Sequence, residues 1–193
     1  MHEVLIKSIR SRIALSEEEA ELIKTKLIPK KARKRQYLLN AGDVCQYLIF
    51  VERGLLRSFA DDDEGSEHTM QFALEGWWIS DMASFFSGDE TKYNIEALEE
   101  SELLQLSRQA MDDVMDLVPR MQRYFLDLMQ NHIIALQRRI AVTQSMTAEE
   151  RYLKLMEINP ALINRASQQH IASYLGITPE TLSRIRKQVS TRK

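Results

Sequence analysis

Ser167-Gln168-Gln169-His170-Ile171-Ala172-Ser173-Tyr174-Leu175-Gly176-Ile177-Thr178-Pro179-Glu180-Thr181-Leu182-Ser183-Arg184-Ile185-Arg186-Lys187 is the stretch that decides the reading of this chain. Ser167 is placed to N-cap a first helix. Gly176 is placed to end it, because glycine enters the left-handed conformation without steric cost. Thr178 is a second N-cap, and Pro179 after it occupies the first helical position, where a missing N–H costs nothing. Ala172 is small where two helices cross closely. Ile171, Leu175, Ile177, Leu182 and Ile185 supply the apolar faces. The pattern predicts a helix-turn-helix, a unit that sets its second helix in the DNA major groove.

Charge supports that reading over a buried helical hairpin. Residues 165–193 hold six Lys+Arg against one acid, Glu180. The whole chain of 193 residues has 26 basic and 28 acidic residues, so the rest is acidic. A positive module on an acidic body is expected where one end meets phosphate.

Composition narrows the alternatives. With 44% hydrophobic and 28% charged residues the chain can bury a core and is not disordered. No apolar run reaches the ~18–20 residues of a membrane span, and the N-terminus carries no secretory core, so the expectation is a cytoplasmic protein without membrane contact. The single cysteine, Cys45, excludes an internal disulfide and an all-cysteine iron–sulfur or zinc site. His2, His68, His132 and His170 fall in different elements, and none has the i, i+2 partner of a cupin metal site. No catalytic residue, metal or cofactor is expected.

Moving towards the N-terminus, Thr147 with Glu150 forms a capping box for a helix to Ile158, closed by Asn159-Pro160; Ala161–Ala166 then bridges to the motif. Between about Ser107 and Gln144, apolar residues recur every three or four positions, with only Pro119 interrupting. Such a one-sided helix suggests pairing with a second copy. Met121, Phe125, Met129, Ile133 and Leu136 are the expected dimer contacts. From Gln36 to Leu106 the chain changes to short β-rich runs: Tyr37–Leu39, Tyr47–Val51, Leu55–Phe59, His68–Leu74, Asn94–Leu98 and Leu103–Leu106. Their regular spacing predicts a sandwich or barrel. Asp61–Glu64 is a hairpin tip without the further ligands of a calcium loop. Residues 1–28 read as helical, with Ser16 capping Glu17-Glu18-Glu19, and Lys30–Arg35 as a solvated turn.

These parts, in this order, resemble the Crp–Fnr family of bacterial transcription regulators over almost the full chain. The resemblance rests on Asn40-Ala41-Gly42-Asp43, on Arg53-Gly54-Leu55-Leu56-Arg57 and above all on Gly176 to Arg184. It implies an α+β chain: an N-terminal double-stranded β-helix (cupin-like jelly roll) sensory domain over 1–108, a dimerisation helix over 109–145 and a helix-turn-helix domain over 146–193. Only Val189–Lys193 follows the second helix, too short for the C-terminal β-hairpin wing of many relatives. The implied partners are double-stranded DNA with a two-fold symmetric site, a second copy of the chain, RNA polymerase and a small-molecule effector of unidentified chemistry.

In the family a Glu and an Arg four residues apart read base edges, and Glu180 and Arg184 occupy those places. The side-chain chemistry agrees, since Glu can accept from cytosine and Arg can fork onto guanine. Gln169, Thr178, Thr181 and Ser183 are placed for phosphate, as is Lys187. Cyclic-nucleotide-binding members use a Glu for the ribose and an Arg-Ser pair for the cyclic phosphate. Here Asp81 and Thr91-Lys92 stand at those positions. Thr91 is uncharged and Lys92 offers no bidentate fork, so the usual mode of cyclic AMP binding is not expected. The competing reading is a β-barrel binding protein or cupin-type enzyme whose helical tail serves assembly.

Overall fold

The structure, a computed structural model, describes residues 2–191. They form two compact units. The first comprises residues up to 60 together with 71–130; the second comprises 61–70 and 131 onwards.

The first unit begins with α1 (Glu3–Arg10) and α2 (Glu17–Thr25), so the helical start is two helices and not one. Ser16 and Glu19 form a reciprocal capping box that starts α2. The cap of α1 comes from elsewhere in the chain. Glu52, buried, accepts the backbone N–H groups of Val4 and Leu5 at 3.2 and 2.8 Å. A carboxylate there answers both the orphan donors and the helix dipole.

Eight strands follow: β1 (Ile28–Ala32), β2 (Tyr37–Leu39), β3 (Tyr47–Arg53), β4 (Leu56–Asp61), β5 (Glu67–Ala73), β6 (Trp78–Ile79), β7 (Asn94–Ala97) and β8 (Ser101–Ser107). They make two four-stranded sheets, ordered β1-β8-β3-β6 and β2-β7-β4-β5. Lys30 and Lys31, expected in a turn, lie in β1 opposite Leu103 and Glu102. A short helix, α3 (Met82–Ser87), separates β6 from β7. Gly54 explains its place in the sequence signature. Its φ is +113°, and an added Cβ would lie 2.8 Å from the Ser101 Cα, so both backbone angle and space exclude a side chain.

Helix α4 (Arg108–Leu117) is separated from α5 (Met121–Ser145) by Pro119. Val118 has left the helical region at φ −132°, ψ 81°, as a residue before proline is driven to do. The expected continuous helix is therefore two. Met121 and Phe125, expected as dimer contacts, are instead buried in the core of the first unit with Tyr124, Met111 and Val114. The first turns of α5 are committed to that core, and these two side chains are not exposed.

In the second unit the rest of α5 is followed by α6 (Ala148–Ile158), α7 (Pro160–Arg165), α8 (Gln168–Leu175) and α9 (Pro179–Thr191). Thr147 and Glu150 form the expected capping box. The bridge after Asn159 is a helix, with Pro160 at its start. Among the described residues no strand lies between 131 and 191. Arg192 and Lys193, part of the basic tail, lie outside the described residues.

Arg57 and Glu96 face each other across β4 and β7, Nε to Oε1 at 2.5 Å, with side chains only 3% and 8% exposed. The guanidinium also stacks on Phe59, 4.0 Å from the ring centroid. Glu96→Leu should cost about 3–5 kcal/mol, because it takes a buried carboxylate away from the Arg57 guanidinium, while Arg57→Met with Glu96→Leu should recover part of that. Urea midpoints of the three proteins check this; equal losses in single and double variants would contradict it.

Candidate nucleic-acid interface

The turn between α8 and α9 is built by its own backbone. The Ser167 hydroxyl accepts from His170 N–H at 3.1 Å and starts α8. At the other end Gly176 N–H donates to Ser173 C=O and Ile177 N–H to Ala172 C=O, both 3.0 Å. This is the Schellman pair, and it needs the left-handed angle that Gly176 adopts at φ +66°. Thr178 accepts from Thr181 N–H at 3.2 Å and caps α9. Ile171, Ala172, Leu175, Leu182 and Ile185 are buried at the crossing.

That packing fixes what α9 presents outward. Pro179, Glu180, Ser183, Arg184, Lys187 and Gln188 line one shallow concavity. Glu180, Arg184 and Gln188 lie at successive four-residue steps and share a face. Arg184 and Lys187 are exposed, and neither makes an ion pair with the described residues. Glu180 accepts its own backbone N–H and the Thr178 hydroxyl, which hold its carboxyl below the ordinary carboxylate range. The Thr178 and Thr181 hydroxyl oxygens lie 3.2 Å apart. Gln169 is exposed in the first turn of α8. Gln188 was not foreseen. The same i, i+4, i+8 count that joins Glu180 to Arg184 reaches it.

Of the three residues expected around an effector, Asp81 and Thr91 bond to each other. Asp81 Oδ1 accepts Ala83 N–H at 3.0 Å and caps α3, while Oδ2 accepts the Thr91 hydroxyl at 2.6 Å. Thr91 is buried and its oxygen also accepts Tyr93 N–H at 3.0 Å. Lys92 faces solvent. Asp81 and Thr91 thus come together, but to brace the α3 loop.

Along α5 the apolar residues beyond Phe125 are a separate set. Leu126, Ile133, Leu136 and Ile140 are exposed, Ile133 by 54%, and Met129 is half-buried. Positions 126, 129, 133, 136 and 140 step by three and four, the seam of a coiled coil. Leu126 and Ile140 lie outside the set of dimer contacts expected from the sequence. Among the described residues no helix is long and apolar enough to cross a membrane, and no group of His, Cys, Asp and Glu is placed to hold a metal.

Comparison with known proteins agrees with this architecture. The profile of the cyclic nucleotide-binding domain matches residues 29–117. The fumarate and nitrate reduction regulatory protein of Vibrio cholerae is 28% identical over 172 residues, covering 81% of this chain and 66% of that protein. The chain belongs to the Crp–Fnr family. The transcriptional activator protein anr of Pseudomonas aeruginosa is 25% identical over 167 residues, 79% of this chain and 66% of its own length. This Crp–Fnr member thus spans just under two thirds of the length of these relatives. Among solved structures, FixK2 from Bradyrhizobium japonicum superposes with a TM-score of 0.74 at 21% identity, covering 86% of this chain and 85% of that one. That likeness concerns the fold.

The bonds around Glu180 carry a pH prediction. Its folded pKa is depressed, so the helix-start stabilisation it gives is complete above the unfolded value of ~4.3 and is lost as pH falls through the lower folded value. A carboxyl NMR titration should place Glu180 below free glutamate, and Thr178→Val should move it back up. An unchanged titration in the variant would show that the hydroxyl does not hold the carboxylate.

Proposed function

We propose that this protein is a homodimeric, sequence-specific DNA-binding regulator of transcription, in which α9 enters the major groove and Glu180 and Arg184 read base edges. The observation that carries this is the exposed face of α9, where Arg184 is free of any ion pair among the described residues and lies one turn from an ionised Glu180. Two such groups suit a guanine and a cytosine. Lys187, Ser183, Thr181, Thr178 and Gln169 serve phosphates. Family membership favours the regulator over the cupin-type enzyme, and RNA polymerase is the partner that such a regulator would address.

The division of labour follows. The two sheets, read as a jelly roll, form a sensory domain within residues 1–108, and residues 146–193 bind DNA. Of the segment 109–145, the part that pairs two copies begins beyond Phe125, along Leu126, Met129, Ile133, Leu136 and Ile140. Cyclic AMP is not bound in the usual mode, a reading supported by the engagement of Asp81 and Thr91 with each other and by the outward Lys92.

Arg184→Ala should cost about 1–3 kcal/mol on the preferred site and relax the preference at one base pair per half-site. Lys187→Ala should weaken all duplexes alike and reduce the salt slope by about one. Titrations of selected and random DNA at several salt concentrations separate the two. If Arg184→Ala weakened both DNAs equally, Arg184 would be a phosphate contact and the readout assignment would fail. Ile133→Asp should give monomers in sedimentation at micromolar concentration, since a seam position cannot hold an unpaired charge; a dimer retained by that variant would place the interface elsewhere.

A further inference from the structure

The helical second unit contains one piece of β-structure that is not its own. Residues 61–70, the tip of the β4–β5 hairpin, belong to it. The tip is internally ordered: Asp62 accepts the N–H groups of Glu64 and Ser66 at 3.0 and 2.8 Å, and His68 Nε2 lies 2.7 Å from its other oxygen. β5 is the last strand of its sheet. An edge strand leaves N–H and C=O groups unpaired, and these need cover.

Two side chains of the second unit supply it. The Ser173 hydroxyl, on α8, donates to Glu67 C=O at 2.7 Å and accepts Thr69 N–H at 2.8 Å. One hydroxyl thereby does the work of a neighbouring strand. Arg139, on α5, donates to Thr69 C=O at 3.2 Å and to Met70 C=O. The same guanidinium reaches Tyr174 C=O at 3.5 Å and stacks on the Tyr174 ring, 4.4 Å from its centroid. Arg139 therefore ties α5, the β5 edge and α8 together, within the stretch of α5 that holds Leu136 and Ile140.

We propose that the β5 edge, Ser173 and Arg139 form a latch that fixes the helix-turn-helix against α5, and that the closed latch is the form that binds two half-sites at once. A helix-turn-helix that swings on α5 must be ordered on each half-site separately, and that ordering opposes simultaneous binding. A change transmitted along β4 and β5 would act through these bonds. The inference rests on the DNA-reading proposal but touches none of the residues assigned to bases or phosphates.

The test uses the full-length protein with Ser173→Ala and, separately, Arg139→Gln. Two readouts are taken: hydrogen exchange of the Thr69 amide, and affinity for duplexes, selected by the unaltered protein, that carry one or two half-sites. The latch predicts faster Thr69 exchange, about tenfold weaker binding to the two-site duplex and unchanged binding to the single half-site. Exchange that stays slow in Ser173→Ala refutes the latch whatever happens with DNA. Faster exchange with unaltered two-site affinity, or equal losses on both duplexes, refutes its role in binding. Failure of the unaltered protein to bind any selected DNA would instead refute the DNA-reading proposal, and the exchange data would still judge the latch.

Discussion

The close crossing of α8 and α9 constrains everything that α9 presents. Ala172 and Leu182 are fully buried there, and the chain turns between them through a single left-handed glycine closed by two backbone hydrogen bonds. The apolar side of α9 is thereby committed at Leu182 and Ile185. Its remaining positions are set by the 3.6-residue period, which puts Glu180, Arg184 and Gln188 together on the outside. A bulkier residue at 172 or a β-branched one at 176 would disturb that face without touching any of its residues.

The first unit shows the opposite arrangement of polar groups. Three of its carboxylates serve its own architecture. Glu52 caps α1, Asp81 caps α3 and holds Thr91, and Glu96 neutralises Arg57 inside the sheet. Each satisfies a buried or terminal group that would be costly to leave unmet. On α9, Arg184 and Lys187 are exposed and make no ion pair among the described residues. Exposed cations stand on the first unit too, at Lys31, Arg33, Lys34 and Lys92; those of α9 are set apart by their place on the outer face of the second helix of the turn motif.

Much of this was legible in the sequence because the signals were local. Ser16, Thr147, Ser167 and Gly176 act on their own helix ends, and each does what its side chain or missing side chain implies. Tyr37–Leu39 is a strand with the bounds read from composition. The errors were non-local. Nothing near Met121 or Phe125 says that a core waits on one side, so a helical stripe could not be divided into the part buried in the core and the part left exposed. Pro119 was visible, but its full effect depends on Val118 leaving the helical region. Asp81 and Thr91 lie ten residues apart, and only the fold joins them. The bonds of Ser173 to residues 67 and 69 cross more than a hundred positions and had no sequence signature.

Enrichment of duplexes from a random pool by the full-length protein tests the central claim most directly. A dimer that offers two copies of α9 should enrich two inverted half-sites whose centres lie about one helical turn apart, ~34 Å. Enrichment of a lone, asymmetric element, or of no sequence at all, would contradict the account.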